Sequence, residues 1–200
     1  MIRKFSKYLL LIFLFCTQII NAGEPPVSKA VGVFLATGVG ARFPLAEFAN
    51  STDLGYGLML DLEYTDTDYL PFFIFARFGY EQFPGSQDFY QESDYSNYST
   101  TVIPLSLGIR YYFAPLVESA VLLIPVIEGS VSYSYFQVLN QFKIDSGKSS
   151  YTDYQWKFGG TVGAGISMFL LEIMAYYTYY ESAQYLSFNL NVRLPIFVNM

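Results

Sequence analysis

The sequence predicts an all-β fold: an eight-stranded antiparallel up-and-down transmembrane β-barrel. Three observations carry this. The first is strict alternation in residues 101–113, T-V-I-P-L-S-L-G-I-R-Y-Y-F, where Ile103, Leu105, Leu107, Ile109, Tyr111 and Phe113 share one parity and Pro104, Ser106, Gly108, Arg110 and Tyr112 the other. Successive side chains of a strand point to opposite faces, and an apolar face backed by one carrying glycine and arginine suits lipid outside and a polar lumen inside. The second is that the pattern recurs through the chain. The third is composition: 200 residues, 20% aromatic and only 14% charged, with positive mean hydropathy, against about 25% charged in a soluble domain. No apolar run reaches the roughly 20 residues of a helical span, so the apolar side chains must fill a core or meet lipid from a closed barrel.

The chain opens with the marks of a signal peptide over residues 1–22. Arg3, Lys4 and Lys7 form a basic region, residues 8–15 are apolar, and Ile20-Asn21-Ala22 before Gly23 offers a cleavage site. Cleavage there removes Cys16, the sole cysteine, and with it any disulfide or cysteine metal site. Loss of those three basic residues takes eleven to eight against seventeen acids, a net charge of −9, which excludes a nucleic-acid surface. Residues 23–29 form a short periplasmic leader, and residues 30–200 the barrel.

Within the barrel, the first strand is expected over residues 30–41, with Gly32, Phe34, Ala36, Gly38 and Gly40 inward; small inward residues suit a narrow lumen that other side chains fill. Residues 42–53 connect it to the second strand, 54–64, which places Asp61 and Glu63 inward. The third, 70–83, turns Phe73, Phe75, Arg77, Gly79 and Glu81 inward. A long polar loop, 84–99, precedes the fourth strand, 101–113. After a turn at 114–119, the fifth strand, 120–136, directs Glu128 and three serines inward. A second polar loop, 137–152, has its tip at Ser146-Gly147. The sixth strand, 153–168, sets Lys157 and three glycines against a face holding Trp156 and Phe158. A tight connection at Phe169-Leu170 leads to the seventh, 171–180, with Glu172 inward. A short loop, 181–184, leads to the eighth, 185–197, with Asn189, Asn191 and Arg193 inward. Each strand is long enough for the about 9–11 residues that cross a bilayer at a tilt. Connections after strands one, three and five are long and those after two, four and six short, matching long outer loops and short periplasmic turns.

These segments resemble the small eight-stranded outer-membrane barrels, the OmpA/OmpX-type barrel domain. The resemblance rests on G-V-F-L-A-T-G-V-G-A-R-F-P-L, on D-L-G-Y-G-L-M-L-D-L-E-Y, on V-I-P-L-S-L-G-I-R-Y-Y-F and on an alternating last strand. It implies a bacterial outer-membrane location in a Gram-negative cell, lipid as the main partner and a monomeric barrel. Family barrels often end on an aromatic residue; here Phe197 precedes Val198-Asn199-Met200.

The expected lumen set is Asp61, Glu63, Arg77, Glu81, Arg110, Glu128, Lys157, Glu172 and Arg193. Near balance of charge points to a network of ion pairs, because unpaired buried charge is costly. Such a set either lines a gated ion path or plugs the barrel, and an eight-stranded lumen, just wide enough for side chains, favours the plug. Arg110 is expected to pair with Glu128, or second with Glu63, the first pair offset along the ladder rather than directly opposite. In the longest loop, Phe89, Tyr90, Tyr95 and Tyr98 offer large contact area at low entropy cost, so they form either a binding surface or a solvated loop. The chain has no histidine, which excludes serine–histidine hydrolysis and histidine zinc sites. No cofactor is expected. The function expected is non-enzymatic: structural, or adhesive through outer loops toward an extracellular ligand or host surface. The alternatives are a narrow gated channel and a soluble secreted barrel with an apolar ligand inside.

Overall fold

The computed structural model describes residues 31–67, 69–116 and 123–199; the signal segment, the leader and Ala30 lie outside them. Eight strands close into one barrel in sequence order, each antiparallel to its neighbours: β1 Val31–Leu45, β2 Gly55–Asp66, β3 Phe73–Pro84, β4 Tyr95–Tyr112, β5 Leu123–Phe142, β6 Tyr151–Met168, β7 Leu171–Tyr180 and β8 Ala183–Asn199. β8 pairs back onto β1 from Val31↔Asn199 to Leu45↔Gln184, with a bulge between Val33 and Phe34. Closure leaves the barrel wall without an unpaired edge, the condition for backbone in hydrocarbon.

The faces sort by chemistry. Leu58, Leu60, Leu62, Phe78, Leu105, Leu107, Ile109, Val162, Phe188 and Leu190 are exposed on the outer wall, while Asp61, Glu63, Arg77, Arg110, Glu128, Glu172 and Asn191 are buried inside. Leu107, at 62% exposure, and Arg110, at 1%, lie three residues apart on one strand. This is the orientation that lipid contact requires. It is the reverse of a soluble carrier, so the alternative of an apolar ligand in the lumen is overturned.

The glycines of β6 make room for the filling. A Cβ at Gly163 would overlap the Tyr176 ring, and one at Gly159 the Tyr180 ring. Both rings cross the lumen from β7, and two of the inward glycines on β6 are the space they occupy.

The strand limits differ from expectation at the outer end. β1 continues to Leu45, so Arg42 is a strand residue and not part of a connection. The expected loop 84–99 holds a short helix, α1, Gln87–Glu92, and the first turns of β4 from Tyr95. The expected loop 137–152 is mostly ladder: β4 and β5 pair out to Tyr95↔Phe142, and β5 and β6 out to Asn140↔Tyr151. What remains is a tip whose Gly147 has φ 67, a backbone glycine adopts without strain. Beyond the bilayer both faces are wet, so pairing no longer demands apolar alternation and the dyad signal fades while the ladder continues. The seventh connection is a tight turn at Glu181-Ser182, since β8 starts at Ala183.

The rim is therefore uneven. β6 pairs with β7 only up to Gly159↔Tyr180, and β7 with β8 up to Tyr180↔Ala183. Strands β4, β5 and β6 rise past that level as a three-stranded sheet.

Candidate functional site: the lumen and its outer mouth

Four layers fill the barrel from the end where β1 begins. At the base Arg193 sits among aromatic rings, its guanidinium carbon 4.4 Å from the Tyr112 ring centre and 5.6 Å from those of Phe34 and Phe73. A desolvated cation over ring faces is held by cation–π attraction. Arg193 also pairs with Glu172 and approaches Glu63 at 3.6 Å. Tyr112 donates its hydroxyl to Glu172 at 2.8 Å.

Above this lies the charged centre. The register places Asp61 opposite Arg77 across β2–β3 and Arg110 opposite Glu128 across β4–β5. Arg77 donates both Nε and Nη2 to Asp61 at 2.7 Å, and its Nη1 lies 2.8 Å from Glu128. Arg110 donates Nε to Glu128 at 2.7 Å and Nη2 to Asp61 at 3.1 Å; its Nη1 bonds Glu63 and lies 3.4 Å from Glu172. One guanidinium thus touches four carboxylates drawn from three strands. Phe75 supports it, with the Arg77 and Arg110 guanidinium carbons 4.8 Å and 5.3 Å from its ring centre. Fork-shaped guanidinium donors suit such multidentate pairing better than a lysine ammonium.

The offset expected between Arg110 and Glu128 is corrected: they are direct partners. The expected turn at 114–119 lies partly outside the described residues, and its described part, 114–116, still runs alongside β5. Phe113 donates its N–H to Pro125 at 3.0 Å and Leu116 to Leu123 at 2.9 Å, so the ladder runs past Tyr112 before the chain turns.

The third layer is a second ion pair that the strand limits concealed. Arg42 donates Nε to Glu81 at 2.8 Å and Nη1 to Asn189 at 2.5 Å, and Tyr185 donates its hydroxyl to Glu81. A cavity of about 30 Å³ lies here, bounded by Arg42, Met59, Arg77, Thr178 and Asn189. It has room for about one ordered water. Continuing the parity of β1 by one step past residue 40 would have placed Arg42 inward. Lys157 is the converse. It leaves the ion pairs and donates to the Glu181 carbonyl at 3.0 Å near the mouth, over the Phe136 ring. Its position on β6, level with Ser134 rather than with the acids, keeps it out of reach.

The fourth layer is an apolar lid of Phe48, Phe83, Val102, Phe136, Tyr180, Ala183 and Tyr185. Ala46, at φ 52, turns the chain into a 3₁₀ helix, Ala46–Asn50, which tips Phe48 into the mouth, 4.9 Å from the Phe83 ring.

Closed topology, an apolar outer wall and a packed polar lumen together decide the architecture. This is the fold of the small eight-stranded outer-membrane barrels. Solved barrels of this kind superpose on the chain. Neisserial surface protein A matches at 14% identity and TM-score 0.56, covering 84% of this chain and 99% of its own. Ail of Yersinia pestis, in complex with the heparin analogue sucrose octasulfate, matches at 11% identity and TM-score 0.46, covering 84% and 100%. The N-terminal β-barrel domain of Pseudomonas aeruginosa OprF matches at 12% identity and TM-score 0.44, covering 82% and 98%. No protein-family model and no curated protein sequence matches the chain.

In this barrel the expected loop aromatics are divided. Phe89 and Tyr90 sit on α1, and Tyr95 and Tyr98 on β4. Tyr90 is a latch: it donates its hydroxyl to the Tyr98 carbonyl at 2.8 Å and accepts the Tyr98 N–H at 3.0 Å. Phe89 stacks on Tyr95 at 5.0 Å, and Tyr95 on Phe142 at 4.6 Å. Phe89, Tyr95 and Tyr98 border the vestibule above the lid.

Proposed function

We propose that this chain is a non-enzymatic, monomeric outer-membrane barrel of a Gram-negative bacterium, with its lumen closed as a structural plug and its projecting β4–β6 sheet serving adhesion. The observation that carries the adhesive reading is the outer edge of β6. Residues 151–158 pair with β5 on one side, and among the described residues no strand pairs with them on the other. Eight residues of strand correspond to about 27 Å of free edge. An exposed edge is a template for strand addition by an extended peptide, where main-chain hydrogen bonds supply affinity. Tyr154 and Trp156 flank it, exposed and stacked with Tyr135 and Tyr133, and aromatic side chains are enriched where proteins meet.

The plug reading is supported by the filled cross-section. Ion pairs, the Phe34–Phe73–Tyr112 base and the Phe48–Phe83–Phe136 lid occupy successive levels, so a steady ion path would require several layers to move together. The apolar wall supports the membrane location.

The test has three arms. Membrane fractionation and heat-modifiable gel migration check the location, and folded protein in the soluble periplasm without detergent overturns it. Planar-bilayer recording is expected to show no steady conductance, and a large stable current would replace the plug with a pore. Cells displaying the protein are expected to bind immobilised extracellular-matrix proteins, with binding reduced by Thr152→Lys with Tyr154→Lys, since lysine blunts strand edges. Equal adhesion with and without the protein removes the adhesive role.

A further inference from the structure

The vestibule above the lid is a second feature of the outer end, separate from the β6 edge. It occupies the concave face of the projecting sheet and has a volume of about 360 Å³, within the about 300–1,000 Å³ of small-ligand pockets. Its wall alternates two kinds of surface. Phe89, Phe136 and Tyr151 offer ring surface, while Thr100, Asn140 and Gln155 offer groups that donate and accept. The strands explain the mixture: residues 136, 138 and 140 of β5 and 151, 153, 155 and 157 of β6 share the inward parity, so one face of a wet sheet collects both.

One wall group is without a partner. Thr100 is only 2% exposed, and its Oγ1 is buried with no hydrogen-bond partner among the described residues. Leaving a buried hydroxyl unmade costs free energy, and a ligand hydroxyl at this point removes that cost. The charges restrict the ligand further. Glu47, Asp153 and Lys157 line the vestibule, two acids to one base. The single ammonium is already directed at the Glu181 carbonyl. An anionic ligand would meet net repulsion and find no arginine fork, whereas a neutral ligand carries no such penalty.

We infer that the vestibule binds a neutral saccharide, as the end group of a glycan, with an apolar ring face against the aromatic wall and its hydroxyls on Thr100, Asn140, Gln155 and Asp153. A sugar ring is the ligand class that presents an apolar C–H face and hydroxyls that both donate and accept. Aliphatic ligands would strand the amides and carboxylates; phosphorylated or sulfated ones would meet one ammonium against two carboxylates. This site stands whether or not the β6 edge recruits a peptide, since it uses the opposite, inner face of the sheet.

The experiment is saturation-transfer NMR and calorimetry on full-length folded protein in detergent micelles. The probes are lactose, maltotriose and N-acetyllactosamine, with a sulfated disaccharide as the anionic control. Saturable binding of at least one neutral sugar, weaker binding of the sulfated one, and a roughly tenfold or greater loss in both Thr100→Val and Tyr151→Ala are expected. Heat-modifiable migration and far-UV circular dichroism establish that each variant is folded, and Gln155→Ala serves as a third variant if either fails to fold. The inference is overturned if no neutral sugar binds saturably, if the sulfated sugar binds more tightly, or if folded variants bind as the parent does.

Discussion

Arg110 and Glu128 face each other across the β4–β5 ladder, and the same guanidinium reaches three further carboxylates, on Asp61, Glu63 and Glu172. One arginine ties β2, β4, β5 and β7 through the lumen. Breaking a buried pair by removing one member leaves an uncompensated charge and costs about 3–5 kcal/mol. The asymmetry between the two members is informative. Arg110→Met leaves four clustered carboxylates with Arg77 and Arg193 alone, while Glu128→Leu leaves Arg77 on Asp61 and Arg110 on three acids. Arg110→Met is expected to lie at or above that range and Glu128→Leu below it, with a coupling of about 0.5–3 kcal/mol in the double mutant. Denaturant unfolding in lipid vesicles measures all four corners, and strictly additive effects would show that the two charges do not interact.

Arg42 and Glu81 form a separate pair nearer the mouth. Arg42→Met is expected to destabilise by about 3–5 kcal/mol, since Glu81 keeps only the Tyr185 hydroxyl, and Glu81→Leu in the same chain is expected to recover most of that loss. A double mutant no more stable than Arg42→Met alone would show that the cost is lost packing.

Leu107 is an outer-wall residue in the middle of β4, exposed to lipid between Leu105 and Ile109. Leu107→Arg is expected to destabilise by about 2–4 kcal/mol, the range for a basic residue near the bilayer midplane. Unfolding from vesicles reads this directly, and a cost indistinguishable from zero would place the membrane elsewhere on the wall.

Asp94 and Lys148 join the α1–β4 connection to the β5–β6 tip at 2.8 Å. The hydrogen bond from Lys148, and then its charge, hold the Asp94 carboxyl below its ordinary range, and the same contact raises Lys148. A lowered acid contributes above its unfolded pKa and loses that contribution as pH falls through the folded one. A raised lysine contributes below its unfolded pKa and loses it as pH rises through the folded one. The link therefore holds between those limits and fails first on acidification through the aspartate range. Both groups are fully exposed, so molar salt weakens it as well. Amide exchange at Lys143, whose N–H bonds the Asp94 carbonyl, is expected to accelerate under either condition. Unchanged protection would show that the two segments are held by other contacts.

Legible in the residues alone were the fold class, the inner and outer faces of the strands and the inward position of Arg77, Arg110, Glu128, Glu172 and Arg193. The bilayer is the reason. Within hydrocarbon every second side chain must be apolar and every backbone group paired, so the constraint is written residue by residue with a period of two. Where the constraint lapses, so did legibility. Above the bilayer, Tyr95 to Thr100 and Gln137 to Phe142 carry no apolar alternation, yet ladder pairing extends through them. It took the folded chain to show that Arg42 belongs to the lumen, that Lys157 leaves it, that Arg110 stands directly opposite Glu128, and that Thr100 lines a vestibule with no hydrogen-bond partner for its hydroxyl among the described residues. Each of these depends on register and on where a turn closes. Register is a relation between strands far apart in sequence, and a shift of one residue sends every side chain of a strand to the other face.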